Sequence, residues 1–395
     1  MPRVGGPTEG PGTYKDVRSE DPIGTIGQSQ RVMPSACIVQ PGAYIRLVGE
    51  RLQVTTPDDN DSPGIRRDIP LRDLERLICS EHVQLTNQAL AAVMTAGIPM
   101  SLLADNGEFL GSFLPPMNSH AEARLEQYRQ TLDPQFAQQI ATKLVSAKLY
   151  NQRRVLQRMG ASRKSDAEGD NELTDQVRAA TTDSPPEVST REIPELQATL
   201  GWLESLFIPI RNSKSIDEVR GYEGVTTARY FSAWARFLPE AFPFERRSTR
   251  PPKNHVNSCI SFGATLIYNE MVAFLHTHGL DPSLGCLHTP ENGRWSLALD
   301  LIEPFRPVLV EALTLDLFSH KILGSEHFEG RTGGVFLNVA GRRKFFLQYE
   351  RRMERQFMSE AAGHRTTLRQ QLEQQARLYK AALREPTEFE PFLMN

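Results

Sequence analysis

The chain has 395 residues, of which 39% are hydrophobic and 24% are charged, an ordinary composition for a globular protein. This length is more than one domain comfortably accounts for, so we expect two domains. The formal net charge of −3 excludes an overall basic field, so an anionic partner would have to be held by local clusters of cations.

The four cysteines are scattered, without a CxxC pair or an even framework. This pattern favours reduced thiols in a cytoplasm over disulfides or a zinc site. The N-terminus lacks the basic-then-apolar pattern of a signal peptide, and no stretch reaches the roughly eighteen apolar residues of a membrane span. We therefore expect a cytoplasmic protein that does not enter a membrane.

Residues 1–33 consist mainly of Gly, Pro and polar residues without a hydrophobic period, which predicts a flexible extension. Short segments of period two then begin. AYIRLV and RLQVTT are separated by a Gly-Glu turn, and IPMSLLAD and EFLGSFL flank Asn106-Gly107, a dipeptide that accepts the positive φ angles of a tight hairpin turn. With the helix NQALAAVMTAG between the two pairs, the pattern predicts a small, mostly β N-terminal domain over residues 34–117.

Every strong pattern beyond this domain is helical, so we predict an α+β protein in which residues 118–395 form a larger all-α domain. PQFAQQIATKLVSAKLYNQRRVLQRMG has apolar residues at spacings of three and four and predicts a helix that ends at Gly160. The polar, Pro-containing stretch 161–190 is predicted to be a flexible inserted loop. Ser215 and Glu218 form an S-x-x-E capping box that starts another helix.

Three candidate metal ligands lie in the helical region. Glu223 follows the capping box, His288 follows a Gly-Cys-Leu bend, and Glu303 stands three residues after Asp300 in WSLALDLIEPFRP, a spacing that shares one helix face. Two carboxylates and an imidazole suit Mn²⁺ or Mg²⁺, with open positions for water and phosphate oxygens. The residues alone leave a second interpretation open, in which the acids are solvated and the histidine is an ordinary loop residue.

Four segments, in the order GYEGVTTARYF, RPPKNHVNSCISFGATL, GLDPSLGCLH and SLALDLIEPFRP, resemble the signature segments of the CRISPR-associated integrase that captures new spacers, a metal-dependent endonuclease. The resemblance covers residues 36–395, through IPLRDLERLICSEHVQLTNQAL near its start and GRRKFFLQYERRM near its end. It implies a small β domain, a helical catalytic domain, a homodimer, and assembly with a small second CRISPR-associated protein around a fragment of duplex DNA.

The resemblance also implies roles for single residues. Glu223 of E-G-x-x-x-A-R-Y-F, His288 of G-L-D-P-x-L-G-x-L-H and Glu303 of D-L-x-E-P-F-R-P match the catalytic metal ligands. Asp300 matches a further acidic position of the catalytic site, which assists through a water molecule or orients a ligand.

A loop between two predicted helices concentrates cations. ERRSTRPPK contains Arg246, Arg247, Arg250 and Lys253, with Glu245 as the nearby acid. We predict that these four residues contact DNA phosphates. The alternative is a solvated loop without a partner.

The chemistry implied by the resemblance is attack of the 3′ hydroxyl of a captured DNA fragment on a phosphodiester at the repeat of a CRISPR array. Water in place of that hydroxyl makes the same site an endonuclease. Two other functions stay open: a stand-alone metal-dependent DNA nuclease of a mobile element, and a nonenzymatic DNA-binding scaffold whose salt-sensitive binding would not depend on Mn²⁺.

Overall fold

The structure is a computed structural model that describes residues 35–57, 64–74, 76–104, 109–115, 121–168, 192–331, 333–360 and 363–394. These residues belong to one compact unit. The predicted extension 1–33 and the predicted boundary at residue 117 lie outside the described residues.

Two four-stranded sheets form the N-terminal part, as the period-two segments predict. In pairing order, the first sheet contains β1 (Ser35–Ile38), β5 (Arg76–Ser80), β7 (Met100–Leu103) and β8 (Phe109–Phe113). The second contains β4 (Arg66–Pro70), β3 (Arg51–Thr55), β2 (Tyr44–Val48) and β6 (Gln84–Leu85). The strands of both predicted hairpins pair in antiparallel register, β2 with β3 and β7 with β8, while the predicted turn at Asn106-Gly107 lies outside the described residues. Gly49, at the first turn, has a φ of 59° that favours glycine.

Strand β5 joins the two hydrophobic cores of the protein. All five of its residues are buried, and successive side chains of a strand point to opposite faces of the sheet. Leu77 accordingly packs with Ile45 and Leu52 in the core of the β part, while Ile78 packs in the core of the helical part. The β part therefore rests against the helices through an apolar strand face.

The rest of the described chain is mainly helical, which confirms the predicted fold class. The helices are α1 (Asn87–Thr95), α2 (Ala121–Thr131), α3 (Pro134–Glu168), α4 (Glu192–Ser205), α5 (Phe207–Arg211), α6 (Ile216–Trp234), α7 (His255–Thr277), α8 (Ser296–Ile302), α9 (Ala312–Ser319), α10 (Val339–Glu354) and α11 (Leu368–Ala382). Two short antiparallel hairpins lie among them: β9 (Phe328–Arg331) with β10 (Gly334–Leu337), and β11 (Phe357–Ser359) with β12 (His364–Thr366).

The predicted end of helix α3 at Gly160 is wrong, because the helix continues to Glu168. A Cβ atom at Gly160 would lie 2.7 Å from Cδ2 of Leu196, so this glycine permits close packing against α4 rather than ending the helix. The first residues of the predicted loop 161–190 are consequently helical. Residues 169–190 of that loop lie outside the described residues.

Helix α7 runs through the helical core. By length and composition alone it could cross a membrane, but 72% of its most apolar stretch is buried inside the protein. Glu270, in its interior, forms an ion pair with Arg76 at 2.6 Å and accepts a hydrogen bond from Tyr349 at 3.0 Å. These buried polar contacts identify α7 as a core helix. Asn254 caps it by accepting a hydrogen bond from the N–H of Asn257 at 2.8 Å.

Candidate active site

Glu223 and Glu303 come from different segments and meet at one buried ammonium group. The Ser215 side chain caps α6, as predicted, and Glu223 lies farther along that helix. Glu303 is the residue that ends α8. The Nζ atom of Lys148, on α3, forms an ion pair with Oε2 of Glu303 at 2.6 Å and a very short one with Oε1 of Glu223. The structure therefore brings together two of the three predicted ligands around a positive charge.

Glu303 is almost completely enclosed, with 4% of its side chain exposed. Its Oε1 atom accepts a hydrogen bond from Arg306 at 2.8 Å, one turn along the chain. Burial by itself would raise the pKa of Glu303, but the charges of Arg306, Lys148 and His288 outweigh it and hold the pKa well below its ordinary value. Glu303 is therefore a carboxylate at neutral pH.

Lys148 is equally enclosed and remains charged. Burial by itself would lower the pKa of this amine, but Glu303 and Glu223 raise it above the ordinary value. Glu223 is more open than its partners, with 28% of its side chain exposed, and its Oε1 atom accepts a further hydrogen bond from the hydroxyl of Thr227 at 3.0 Å. The site thus opens toward solvent on the Glu223 side.

His288 is held in place by Asp300 rather than by Glu303. Its Nδ1 atom lies 2.6 Å from Oδ1 of Asp300, which is fully buried. A carboxylate only accepts hydrogen bonds, so Nδ1 carries the shared proton, and in the neutral imidazole Nε2 is the ring nitrogen with a lone pair for a ligand. Burial by itself lowers the pKa of His288, but the hydrogen bond and charge of Asp300 and the charge of Glu303 raise it overall.

Asp300 also organises the backbone of the loop that carries His288. Its Oδ2 atom accepts hydrogen bonds from the N–H groups of Cys286 at 2.6 Å and Leu287 at 2.8 Å, and its Oδ1 atom accepts one from the N–H of His288 at 2.8 Å. Both carboxylate oxygens are thus engaged within the protein. Of the two roles expected for Asp300, the contacts favour orientation of a ligand.

A second contact secures the same loop to helix α6. Nε of Arg220 donates a hydrogen bond to the carbonyl of Leu287 at 2.7 Å, and its Nη2 atom donates one to the hydroxyl of Thr289 at 2.9 Å. Arg220 lies one helical turn before Glu223. The helix that carries Glu223 therefore also positions the loop that carries His288.

The donor set fits a divalent metal ion. Carboxylate oxygens and a neutral imidazole nitrogen suit Mn²⁺ or Mg²⁺. Oε2 of Glu303 is buried and faces the Lys148 ammonium at 2.6 Å, and a carboxylate oxygen directed at one cation can also bind a metal cation. In the described part of the chain, no three His, Cys, Asp or Glu side chains are close enough together to coordinate one metal ion as they stand. Lys148 lies where the two carboxylates converge.

Helix α3 supplies polar residues that our sequence analysis missed. Lys148, Asn151 and Gln152 are all buried on one face of α3, among the apolar residues that this helix contributes to the core. The amide of Asn151 donates hydrogen bonds to the carbonyls of Pro304, at 2.7 Å, and Phe392, at 2.9 Å, and so fixes the backbone next to Glu303. Polar residues at positions i, i+3 and i+4 that fall among the apolar positions of a helix are the signal that could have revealed this buried polar face.

The cationic loop divides into exposed and inward-facing residues. Arg246, Arg250 and Lys253 are exposed, and Nζ of Lys253 donates a hydrogen bond to the carbonyl of Gly333 at 3.0 Å. Arg247 points inward instead.

The guanidinium of Arg247 donates hydrogen bonds to Oδ1 of Asn257, at 2.8 Å, and to the hydroxyl of Ser261, at 3.1 Å. Burial and the charge of Arg306 lower the pKa of Arg247 to about 10. Its contacts support the start of helix α7, and they oppose the phosphate contact predicted for this residue.

Comparison with known proteins places these features in a family. Residues 36–351 match the family model described as CRISPR associated protein Cas1. A CRISPR-associated endonuclease Cas1 of Thermodesulfovibrio yellowstonii is 31% identical over 290 residues, which cover 73% of this chain and 83% of the relative.

Two solved structures have the same fold. A casposase bound to integration product aligns with a TM-score of 0.71 at 20% identity and covers 89% of this chain and 90% of its own. A chain of a Cas6-RT-Cas1–Cas2 complex aligns with a TM-score of 0.70 at 22% identity, over 93% of this chain and 37% of that one. At these identities, the likeness concerns the fold alone.

Proposed function

The chain belongs to the family of CRISPR-associated protein Cas1, and from this premise we propose that it inserts captured DNA fragments as new spacers into a CRISPR array at the centre formed by Glu223, His288 and Glu303. Its activity is that of a nuclease and integrase acting on phosphodiester bonds. The observation that supports the site assignment is the convergence of Glu223 and Glu303 on one cation, while His288, held by Asp300, lies within electrostatic reach of Glu303.

In the proposed reaction, the 3′ hydroxyl of the captured strand attacks a phosphodiester of the target strand. A new P–O bond forms to the incoming 3′ oxygen, which loses its proton to solvent, and the bond to the outgoing 3′ oxygen breaks as that oxygen takes up a proton from solvent. With water as nucleophile, the same displacement is hydrolysis. A divalent ion, when bound, lowers the pKa of the attacking hydroxyl and stabilises charge on the phosphate. Members of this nuclease family are generally metal-dependent, and we propose Mn²⁺ or Mg²⁺ here.

The side chains of the site have separate roles in this reaction. Glu223 and Glu303 supply anionic oxygens, and His288 supplies Nε2. Asp300 keeps the imidazole in one orientation and tautomer by accepting the Nδ1 proton. Arg306 keeps Glu303 ionised and fixes the direction of its carboxylate.

We assign DNA contact on the cationic loop to Arg246, Arg250 and Lys253, because their side chains are exposed. The proposed substrates are a double-stranded DNA fragment and CRISPR repeat DNA. The proposed protein partners are a second copy of this chain and a small second CRISPR-associated protein, in keeping with the same fold in a Cas6-RT-Cas1–Cas2 complex. We expect the assembly to act in the cytoplasm.

The test is strand transfer of a fluorescent DNA duplex into a plasmid that carries a repeat array, with and without the small partner, in Mn²⁺ and in EDTA. We expect joining that requires metal and falls by about 10³-fold in Glu223→Ala and in Glu303→Ala, because each substitution removes a charged ligand. Glu204→Ala is the matched control, since Glu204 lies in an exposed pair with Arg153.

Full activity of Glu223→Ala would contradict the site. Cleavage without joining, even with the partner present, would favour a stand-alone nuclease. DNA binding without metal-dependent chemistry would favour a scaffold.

A further inference from the structure

Lys148 is a lysine placed where the proposed function requires a metal ion. Only 4% of its side chain is exposed, and its ammonium contacts Glu223 and Glu303 at the same time. Burial of an ammonium group costs several kcal/mol unless opposite charges surround it. The two carboxylates supply that compensation, so in the absence of metal the ammonium and the carboxylates stabilise one another.

An ammonium group and a divalent ion cannot both occupy the space between the two carboxylates. The two carboxylates already contact two cations, Lys148 and Arg306, so each has a positively charged partner without metal. A divalent ion that entered between the two carboxylates would lie very close to the positively charged ammonium of Lys148. Repulsion at such distances in a buried site is strong.

We propose that Lys148 is an internal counter-cation that competes with the metal for Glu223 and Glu303. The metal enters only as the ammonium withdraws, so Lys148 weakens metal binding to the free protein while it keeps the two carboxylates together. This inference rests on the proposed function, since it assumes that the two glutamates are metal ligands.

The protein holds a carboxylate that can receive the displaced charge. Glu311 is buried and interacts with the buried hydroxyl of Tyr230. Burial raises the pKa of Glu311, while the positive charges of Arg306 and Lys148 oppose that rise, so both cations lie within electrostatic reach of it. Glu311, once ionised, would offer a withdrawn Lys148 ammonium a counter-charge.

The test is a calorimetric titration of the metal-free, DNA-free protein with Mn²⁺. Lys148→Met removes the charge and keeps most of the apolar stem of the side chain. We expect this variant to bind Mn²⁺ about tenfold more tightly than the unchanged protein. Its melting temperature without metal should fall, because the two carboxylates then lose the cation between them, and Mn²⁺ should raise that temperature by more than in the unchanged protein.

Two further variants make the titration decisive. Lys143→Met is the matched control, because Lys143 lies on the same helix but contacts the carbonyls of Pro386 and Thr387, and it should bind Mn²⁺ as the unchanged protein does. Lys148→Gln keeps an N–H donor toward the carboxylates without the charge, and it replaces Lys148→Met should the latter fail to fold.

The outcomes separate this inference from the proposed function. If both uncharged variants bind Mn²⁺ as weakly as the unchanged protein or more weakly, Lys148 does not compete with the metal, and its role is only structural. Undiminished Mn²⁺ binding by Glu303→Ala would overturn the metal site itself and the inference with it.

Discussion

Asp300 serves the site without facing the reacting atoms. Its two oxygens accept hydrogen bonds from the ring of His288 and from three consecutive backbone N–H groups. Asp300 lies three residues before Glu303, a spacing that puts both acids on one helix face. Their contacts nevertheless differ. One acid faces the cation of Lys148, and the other holds a loop.

We predict that Asp300→Asn lowers DNA cleavage by about 10- to 100-fold, because an amide cannot accept all of these hydrogen bonds and His288 loses its fixed orientation. Steady-state cleavage should be compared in Asp300→Asn, in His288→Ala and in the double variant. If Asp300 acts through His288, the double variant is no slower than His288→Ala alone. Multiplied losses in the double variant would instead indicate an independent catalytic role for Asp300.

The loop that ends in His288 shows how a local element sets the geometry of the site. Gly285 lies in this loop, and a Cβ atom there would stand 2.6 Å from the carbonyl oxygen of His288 and 2.7 Å from Cβ of Ser296. The close approach brings the loop against the start of helix α8, so the N–H groups that follow reach Asp300. Helix α6 differs, since a Cβ atom at Gly221 would meet nothing within 4 Å.

We predict that Gly285→Ala destabilises the protein by about 1–3 kcal/mol, because the added methyl group overpacks the loop against backbone atoms. It should also slow DNA cleavage by displacing His288. Gly221→Ala is the control and should stabilise the protein by about 0.5–1 kcal/mol, as alanine does inside an exposed helix. Urea denaturation measures both changes, and equal stability of the two variants would contradict the close approach at Gly285.

A network of ion pairs connects strand β5 of the β part with helices α7, α10 and α11. Arg76 of β5 pairs with Glu270 of α7 at 2.6 Å, and Arg369 of α11 pairs with Glu350 of α10 at 2.8 Å. Arg369 also contacts Glu270 at 3.4 Å and Glu354 at 2.5 Å. Three carboxylates therefore surround two guanidinium groups.

Because this network has one carboxylate more than it has guanidinium groups, we expect one carboxylate, that of Glu350, to retain a proton. Burial and the charge of Glu270 raise the pKa of Glu350 to about 7, against the opposing effect of Arg369. Between the ordinary glutamate pKa and 7, the unfolded chain loses this proton while the folded protein keeps it. The contribution of Glu350 to stability is therefore greatest below that interval and falls as pH rises through it.

We predict that Glu350→Gln reduces this loss of stability between pH 4.5 and 7 by at most about 3 kcal/mol, because glutamine has no proton to retain. The free energy of unfolding should be measured by urea denaturation across this range for the unchanged protein, for Glu350→Gln and for Glu204→Gln. The exposed control should follow the unchanged protein. The same pH dependence in Glu350→Gln would show that Glu350 holds no extra proton.

The sequence by itself determined the N-terminal hairpins, the helical character of the larger part and the candidate acids, but not the end of α3 or the two hairpins among the later helices. Period-two segments and the turn residues between them predicted the hairpins, and Ser215 predicted the start of α6, because these signals depend on neighbours in the chain. Motif order indicated the family and singled out Glu223, His288 and Glu303. These three remain predicted ligands for the titration and strand-transfer experiments to test.

Only the tertiary structure decided which side chains face one another. Lys148 lies 75 residues before Glu223, and local periodicity says nothing about which polar residue of α3 meets which carboxylate of α6 or α8. The same holds for Gly160, which read as a helix end but serves close packing with Leu196, and for Arg247, whose guanidinium turns inward to Asn257. Burial and charge pairing act between elements distant in sequence, so they appear only when the chain is folded.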